Sequence, residues 1–367
     1  MFDLVRRLPA GEFRVVVGAP ADGPFFERFQ SLGIEVAPLP LNGLSPRTLA
    51  AVIRLVRERR IRAIHSHGKG AGLYGRLAGW WTGVPALHTF HGIHYGHYPP
   101  GFRRPYLWLE RRLSRLSRAV IHVSESQARD AAGLHLADPG RTHVVVNGID
   151  SKEVRGMAEG APLSRAALGL SADAQVVGTV ARFDRVKGLD VLLESVRRLA
   201  GRYPRLALVL VGGGEEERNL RRRVARAGLA DRVRFTGELA DVPRLFPALD
   251  LYVSSSRGEG LPLSLLEAMA CALPVVATRV TGHVDVVLEG VTGLLAGPED
   301  PEALAASVAR LLDDPGLREK MGRAGRERVE THFSLERMAA RLAGLYREAV
   351  STSPEQNSCR AAGPGRL

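Results

Sequence analysis

The chain has 367 residues, 45% hydrophobic and 25% charged, which suits two ordinary folded domains and excludes a disordered or fibrous chain. No run of 18 apolar residues occurs, and the longest apolar region (77–87) is broken by glycine and proline, so no membrane-spanning helix is expected. The net charge is +12, and all but four of the 51 basic residues are arginine. Arginine bias in the genome would explain this. So would affinity for anionic surfaces, either phospholipid or phosphorylated substrates. Nucleic acid is not expected as a partner, because no RNP, zinc-finger or helix-turn-helix pattern accompanies the charge. Met1-Phe2-Asp3 leads directly to Arg6 and Arg7 without the apolar core of a signal peptide. The two cysteines, Cys271 and Cys359, fit neither a disulfide framework nor a zinc cluster. A reducing cytoplasm is therefore expected.

The chain opens on residues 3–8, which read as the end of a helix with no strand before it. Short β-branched runs follow at 13–18, 34–39, 63–67, 85–90, 119–123 and 143–146. Helical periodicity covers 46–58 between them. Residues 103–118 read as a basic amphipathic helix. Leu109, Leu113 and Leu116 share one face, Arg111, Arg115 and Arg118 another, and Tyr106 and Trp108 sit at the rim. Such a helix, from Arg103 to Arg118, can lie on an anionic bilayer, although an ordinary sheet-covering helix has the same pattern.

Asn147-Gly148-Ile149-Asp150 is a turn signal, and a polar, weakly patterned stretch runs from 151 to about 174. A second series of strands is then predicted at 176–181, 206–211, 233–236, 251–254, 274–277 and 293–296, with helices at 189–202, 216–227 and 301–312. Strand-helix alternation repeated twice predicts an α/β protein of two parallel-sheet domains, 1–150 and 151–334, facing across a cleft. A helix at 335–350 follows, and 351–367 read as a disordered tail.

Four constellations carry candidate chemistry. In Gly178–Gly188 (GTVARFDRVKG), Arg182 and Lys187 flank a strand-to-helix turn, where both could meet one anion such as a pyrophosphate. Solvated loop cations would show the same spacing. In 256–270 a glycine-punctuated turn precedes a helix starting near Pro262, whose free N–H groups suit an anion. Glu259 and Glu267 there are good acceptors for sugar and ribose hydroxyls, yet Ser264-x-x-Glu267 also reads as a capping box. His65-Ser66-His67 and His88-Thr89-Phe90-His91-Gly92-Ile93-His94 place histidines at strand ends. No zinc spacing accompanies them, and no metal site is expected. His91 stands out because Gly92 lets its loop approach a ligand. Val211-Gly212-Gly213-Gly214-Glu215 is not the dinucleotide fingerprint, since Glu217 holds the last glycine position. Close passage of a nucleotide at Gly213 and a plain tight turn are both open.

Together these segments resemble glycosyltransferase family 4, the retaining enzymes of GT-B fold, from about Arg14 to Tyr346. The most specific match is Glu259–Glu267 with its Glu-x7-Glu spacing, running into Ala268-Met269-Ala270 and Pro274-Val275-Val276-Ala277. Arg182 with Lys187-Gly188, the Asn147–Asp150 hinge and Thr292-Gly293-Leu294-Leu295 support it. The resemblance implies a nucleotide-sugar donor and no cofactor or metal, while the charge and the 103–118 helix point to a surface-glycan or lipid-linked acceptor. It implies that Arg182 and Lys187 hold the donor diphosphate, Glu259 the transferred hexose and Glu267 the ribose. Gly213, Gly260 and Leu261 would line the donor pocket, His91 would lie beside the sugar, and His67 and Lys69 would face the acceptor side of the cleft. A sugar-nucleotide epimerase and a non-catalytic sugar-nucleotide-binding subunit are the alternatives. The base, the linkage and the oligomeric state are not readable. Three departures stand out: the family's first strand and its glycine loop are missing, Thr281-Gly282-His283-Val284-Asp285 replaces Gly-Gly-x-x-Glu, and Arg257 stands where small residues are usual.

Overall fold

The computed structural model describes residues 1–9, 11–21, 24–41, 43–93 and 99–351. The chain divides into two compact units. Unit 1 holds Met1–Val146 together with the helix Leu335–Ser351, and unit 2 holds Asn147–Ser334.

Unit 1 runs α1 (Phe2–Arg7), β1 (Val16–Ala19), α2 (Pro24–Ser31), β2 (Glu35–Pro38), α3 (Pro46–Glu58), β3 (Ile64–His67), α4 (Lys69–Thr82), β4 (Ala86–Phe90), α5 (Pro100–Arg115), β5 (Ala119–His122), α6 (Glu125–Gly133) and β6 (Thr142–Val144). All its strands pair in parallel, but in two separate sheets, β1-β2 and β3-β4-β5-β6. Every residue of β4 and β5 is buried, as parallel strands covered on both faces require. Helix α3 starts on Ser45, whose hydroxyl accepts from Thr48 N–H, with Pro46 at the first position. It packs Val52 and Val56 against Tyr74 and Ala78 of α4.

Unit 2 runs α7 (Ser151–Gly160), β7 (Gln175–Val180), α8 (Leu189–Leu199), β8 (Leu206–Val211), α9 (Glu217–Arg226), β9 (Val233–Gly237), β10 (Leu251–Ser254), α10 (Leu263–Ala270), β11 (Val275–Thr278), α11 (His283–Val286), β12 (Gly293–Ala296), α12 (Pro301–Asp313) and α13 (Pro315–His332). Its strands form one parallel sheet in the order β12-β11-β10-β7-β8-β9. The order reverses between β7 and β10, the position at which doubly wound sheets open a crevice beyond their carboxyl ends. Asp300 and Asp314 cap α12 and α13, each ahead of a proline at the first helical position. The last helix, α14 (Leu335–Ser351), returns to unit 1. Its apolar residues Ala339, Leu342, Leu345 and Ala349 recur every three or four positions and pack on Leu4, Leu87, Ala119 and Ile121.

Three local expectations need correction. The basic helix ends at Arg115, not 118. Beyond it the chain turns into β5, with Arg118 N–H donating to Ala86 O at 2.7 Å. Leu109 is exposed whereas Leu113 is buried, so the face that packs is not the one expected. The stretch after Asp150 opens as a helix rather than a weakly patterned segment, because the Asp150 carboxylate accepts from Lys152 and Glu153 N–H at 3.1 and 2.9 Å. Ser264 forms no capping box. Pro262 is the N-cap of α10, and the Ser264 hydroxyl bonds to Val180 O at 3.3 Å and Tyr252 Oη at 2.9 Å. The predicted tail lies outside the described residues, apart from Ser351 at the end of α14.

Candidate functional site

In unit 2 the loops after β7 and β10, adjacent strands at the order reversal, interlock through polar contacts. Lys187 Nζ donates to Glu259 Oε1 at 2.7 Å, and Ser256 Oγ donates to the same oxygen at 2.6 Å. Ser255 Oγ donates to Lys187 O at 3.0 Å. Glu259 is almost buried, its side chain 10% exposed. Burial alone would raise its carboxyl pKa. The Lys187 ammonium, His283 and the two hydrogen bonds outweigh that and hold it below the ordinary carboxylate range. The site thus keeps one carboxylate ionised in a nearly buried setting, with a cation on it.

Two backbone features allow the approach. Gly188 ends the turn after Lys187 with φ +61°, and a side chain there would strike Ser255 O. Gly282 has φ +83°, and a Cβ there would lie 2.6 Å from Gly260 O and 3.2 Å from Glu259 Cβ. Only glycine lets the segment before α11 lie against the Glu259–Gly260 turn.

Arg257 acts as a clamp. Its guanidinium bonds to Asp190 of α8 at 2.9 and 3.0 Å, to Arg185 O at 2.6 Å and to Glu299. Its N–H reaches Val186 O at 2.7 Å. The larger residue therefore locks the Lys187 turn to the Glu259 loop. His283, fully buried, faces Thr278 O with Nδ1 at 2.8 Å, which assigns the proton there, and Ser254 Oγ with Nε2 at 2.9 Å. Burial lowers its pKa, opposed by Glu259, and its two hydrogen bonds support the loop.

Arg182 pairs with Asp184 at 3.0 Å and its side chain is 80% exposed. The two expected diphosphate cations thus each rest on a separate carboxylate. Glu267 is the half-exposed polar residue on an otherwise buried stretch of α10. It helps burial push the Cys271 thiol up to about 12, which leaves that sulfur unreactive. Gly260 and Leu261 lead into α10, whose N-terminus has no side-chain cap. Gly213 O accepts from Phe183 N–H at 2.7 Å, so the glycine run lies against the turn that carries Arg182.

In unit 1 the carboxyl ends of β3 and β4 bring His67 and His91 together, Nδ1 to Nε2 at 2.8 Å. Lys69 opens α4 and lies over the Tyr106 ring at 5.3 Å. His65 is satisfied structurally by Tyr346 Oη at 2.6 Å and Thr89 Oγ1 at 2.7 Å. His88 faces Ser66 Oγ at 3.0 Å. His94 lies outside the described residues. Among the described residues no group of three or more His, Cys, Asp or Glu is arranged to hold a metal.

The family profile described as Glycosyl transferases group 1 matches residues 161–328, and that described as Glycosyltransferase Family 4 matches residues 1–153. D-inositol 3-phosphate glycosyltransferase of Salinispora arenicola is 34% identical over 87% of this chain and 78% of its own length. This chain belongs to glycosyltransferase family 4. Another relative of this glycosyltransferase, the alpha-maltose-1-phosphate synthase of Mycolicibacterium smegmatis, is 32% identical over 90% of this chain and 89% of its own. Among solved structures, Anabaena HepE in complex with UDP-glucose superposes with a TM-score of 0.82 at 25% identity, covering 95% of this chain and 94% of that one. Sucrose-phosphate synthase of Thermosynechococcus elongatus gives 0.80 at 26% identity, covering 96% and 92%. The GT-B fold expected from the sequence is what these neighbours share.

Sequence reading missed Ser256 and His283 and took Arg257 only as a departure from pattern. Ser256, three residues before Glu259, was the one legible signal. The partners of Arg257 and His283 lie on other elements and left no local trace.

Proposed function

We propose that this glycosyltransferase moves a hexose from a nucleoside-diphosphate sugar to a surface-glycan or lipid-linked acceptor, retaining the anomeric configuration. The Lys187–Glu259 pair at the strand-order reversal carries the reading. Glu259 sits on the Lys187 ammonium as an anion would. When a diphosphate arrives, Lys187 moves onto it, Arg182 swings in from solvent, and the α10 N-terminus adds its amides. Glu259 is then released to accept hydrogen bonds from the sugar hydroxyls, and Glu267 takes the ribose. UDP-glucose in the HepE complex favours a uridine donor.

The bond between the anomeric carbon and the phosphate oxygen breaks as the acceptor hydroxyl attacks from the same face. The departing phosphate oxygen takes the acceptor proton, so products are the glycoside and the nucleoside diphosphate. Fixed cations and helix amides stabilise the leaving charge, and the reaction is proposed to need no divalent metal. Proton NMR of the product tests this. Retention with an unchanged rate in chelator supports it; an inverted anomer, or a rate abolished by chelator and restored by metal, contradicts it. An epimerase would convert donor with no acceptor present.

For the acceptor, the favoured source is a lipid at an anionic surface. Trp80, Trp81, Phe102, Trp108 and Leu109 are exposed on α4 and α5, with Arg103, Arg104, Arg112 and Arg115 exposed on α5. Arg111 does not belong to that face, since its guanidinium bonds to Leu134 O at 3.0 and 2.8 Å. Replacing Arg103, Arg104, Arg112 and Arg115 by glutamate should abolish binding to vesicles rich in anionic phospholipid. Unchanged binding removes the membrane from the account.

A further inference from the structure

Asp184 stands between the two cations of the turn after β7, two positions beyond Arg182 and three before Lys187. Its carboxylate oxygens are divided between them. Oδ1 accepts from the Lys187 backbone N–H at 3.2 Å and caps the single 3-10 turn Arg185–Lys187. Oδ2 pairs with the Arg182 guanidinium at 3.0 Å. The backbone that carries this arrangement is fixed. Phe183 is fully buried; its N–H donates to Gly213 O at 2.7 Å and its carbonyl accepts from Glu216 N–H at 2.9 Å. Arg182 and Asp184 thus flank an anchored residue, and side-chain torsions alone separate a held Arg182 from a released one. The arginine side chain is 80% exposed against 20% for Asp184, so the cation is the partner free to move. Exposed pairs of this kind hold weakly. Once released, Asp184 still lines a cavity of 420 Å³ together with Arg185 and Arg223. The other carboxylates of that cavity are engaged already, Asp190 and Glu299 by Arg257 and Glu216 by Asn219.

We propose that Asp184 is a positioning residue for the donor diphosphate, which caps the turn that carries Lys187 and competes with the incoming phosphates for Arg182. The assignment rests on the reading of Arg182 and Lys187 as the diphosphate cations. Its two actions have opposite signs. The cap favours binding, because a turn already in place has less conformational freedom to lose. The hold on Arg182 opposes binding, because that pair must break before the guanidinium can meet a phosphate. The same competition weakens the grip on the nucleoside diphosphate that remains after transfer.

The test is a double-mutant cycle read by calorimetry with UDP, or with whichever of GDP and ADP binds in its place. Asp184→Asn and Asp184→Ala are each made in the parent chain and in Arg182→Ala. Asparagine caps as well as aspartate but carries no charge, so it releases Arg182 and leaves the turn intact. Asp184→Asn should tighten binding about threefold in the parent background and leave it unchanged in Arg182→Ala. Asp184→Ala, which also lacks the cap, should bind about fivefold more weakly than Asp184→Asn in both backgrounds. An equal gain from Asp184→Asn in the two backgrounds would be the mark of a charge removed near an anion, and overturns the proposal. So does no gain in the parent, or equal affinities for the asparagine and alanine variants. Should Asp184→Ala not fold, the cycle of Asp184→Asn with Arg182→Ala decides. A folded parent chain that binds none of the three diphosphates overturns the donor-site reading and this assignment together; one that binds without coupling between positions 182 and 184 overturns this assignment alone.

Discussion

The two units follow one strand-and-helix plan and differ at its centre. In unit 2 the sheet is continuous and the loops at its order reversal are tied together by Lys187, Arg257 and His283. In unit 1 the sheet is interrupted between β1 and β3, and the corresponding edge is held by imidazoles in contact with one another. A parallel sheet gains its rigidity from strands buried on both sides. The difference therefore teaches that unit 2 is held by one continuous sheet and its loop contacts, whereas unit 1 depends on groups that titrate.

Acid should separate the units most. Burial holds His65, His67, His88 and His122 below the ordinary imidazole range, His65 to about 3 and His122 to about 4. Between pH 6.5 and those values the unfolded chain binds more protons, so stability is full above 6.5 and is lost as pH falls. His65 and His122 each remove roughly 2 kcal/mol by pH 5, and His67 and His88 act in the same direction. Unit 2 has one fully buried imidazole, His283. All three tryptophans, Trp80, Trp81 and Trp108, lie in unit 1, so their fluorescence should change at a higher pH than the protease resistance of unit 2 is lost. Coincident transitions would break the comparison.

Within unit 2, Gly282→Ala should push the Glu259–Gly260 turn aside and weaken donor binding by about tenfold or more, because it combines backbone strain of roughly 1–3 kcal/mol with a close contact. Calorimetry checks it, and unchanged affinity would mean that the segment before α11 is not part of the site. Arg257→Ala should destabilise unit 2 by roughly 1–2 kcal/mol in denaturant, discounted because Glu299 is largely exposed. Arg257→Lys should recover part of that, since lysine keeps the charge but not the planar fork. A loss confined to activity, with stability intact, would make Arg257 a ligand-contacting residue rather than a clamp.

Much of the fold was legible because buried parallel strands are short, near-continuous apolar runs: 206–211, 251–254 and 293–296 coincide with the observed strands. Helix α7 was not, since Gly156 and Gly160 weaken its pattern and the Asp150 cap supplies what propensity lacks. The basic helix was overextended because arginine continues past the point where Arg118 joins the sheet. At the site, residue types were readable but pairings were not. Lys187 and Glu259 are 72 positions apart, and nothing local says that one will sit on the other, or that Arg182 will rest on Asp184.

The Lys187–Glu259 cluster is proposed as the donor-diphosphate site. Titrating UDP, GDP and ADP calorimetrically into the chain and into Lys187→Ala tests it most directly. The account predicts that one diphosphate, UDP first, binds the parent chain, and that losing a contact of about 2 kcal/mol weakens it roughly 30-fold in the variant. A folded parent chain that binds none of the three, or a variant that binds as tightly as the parent, would contradict it.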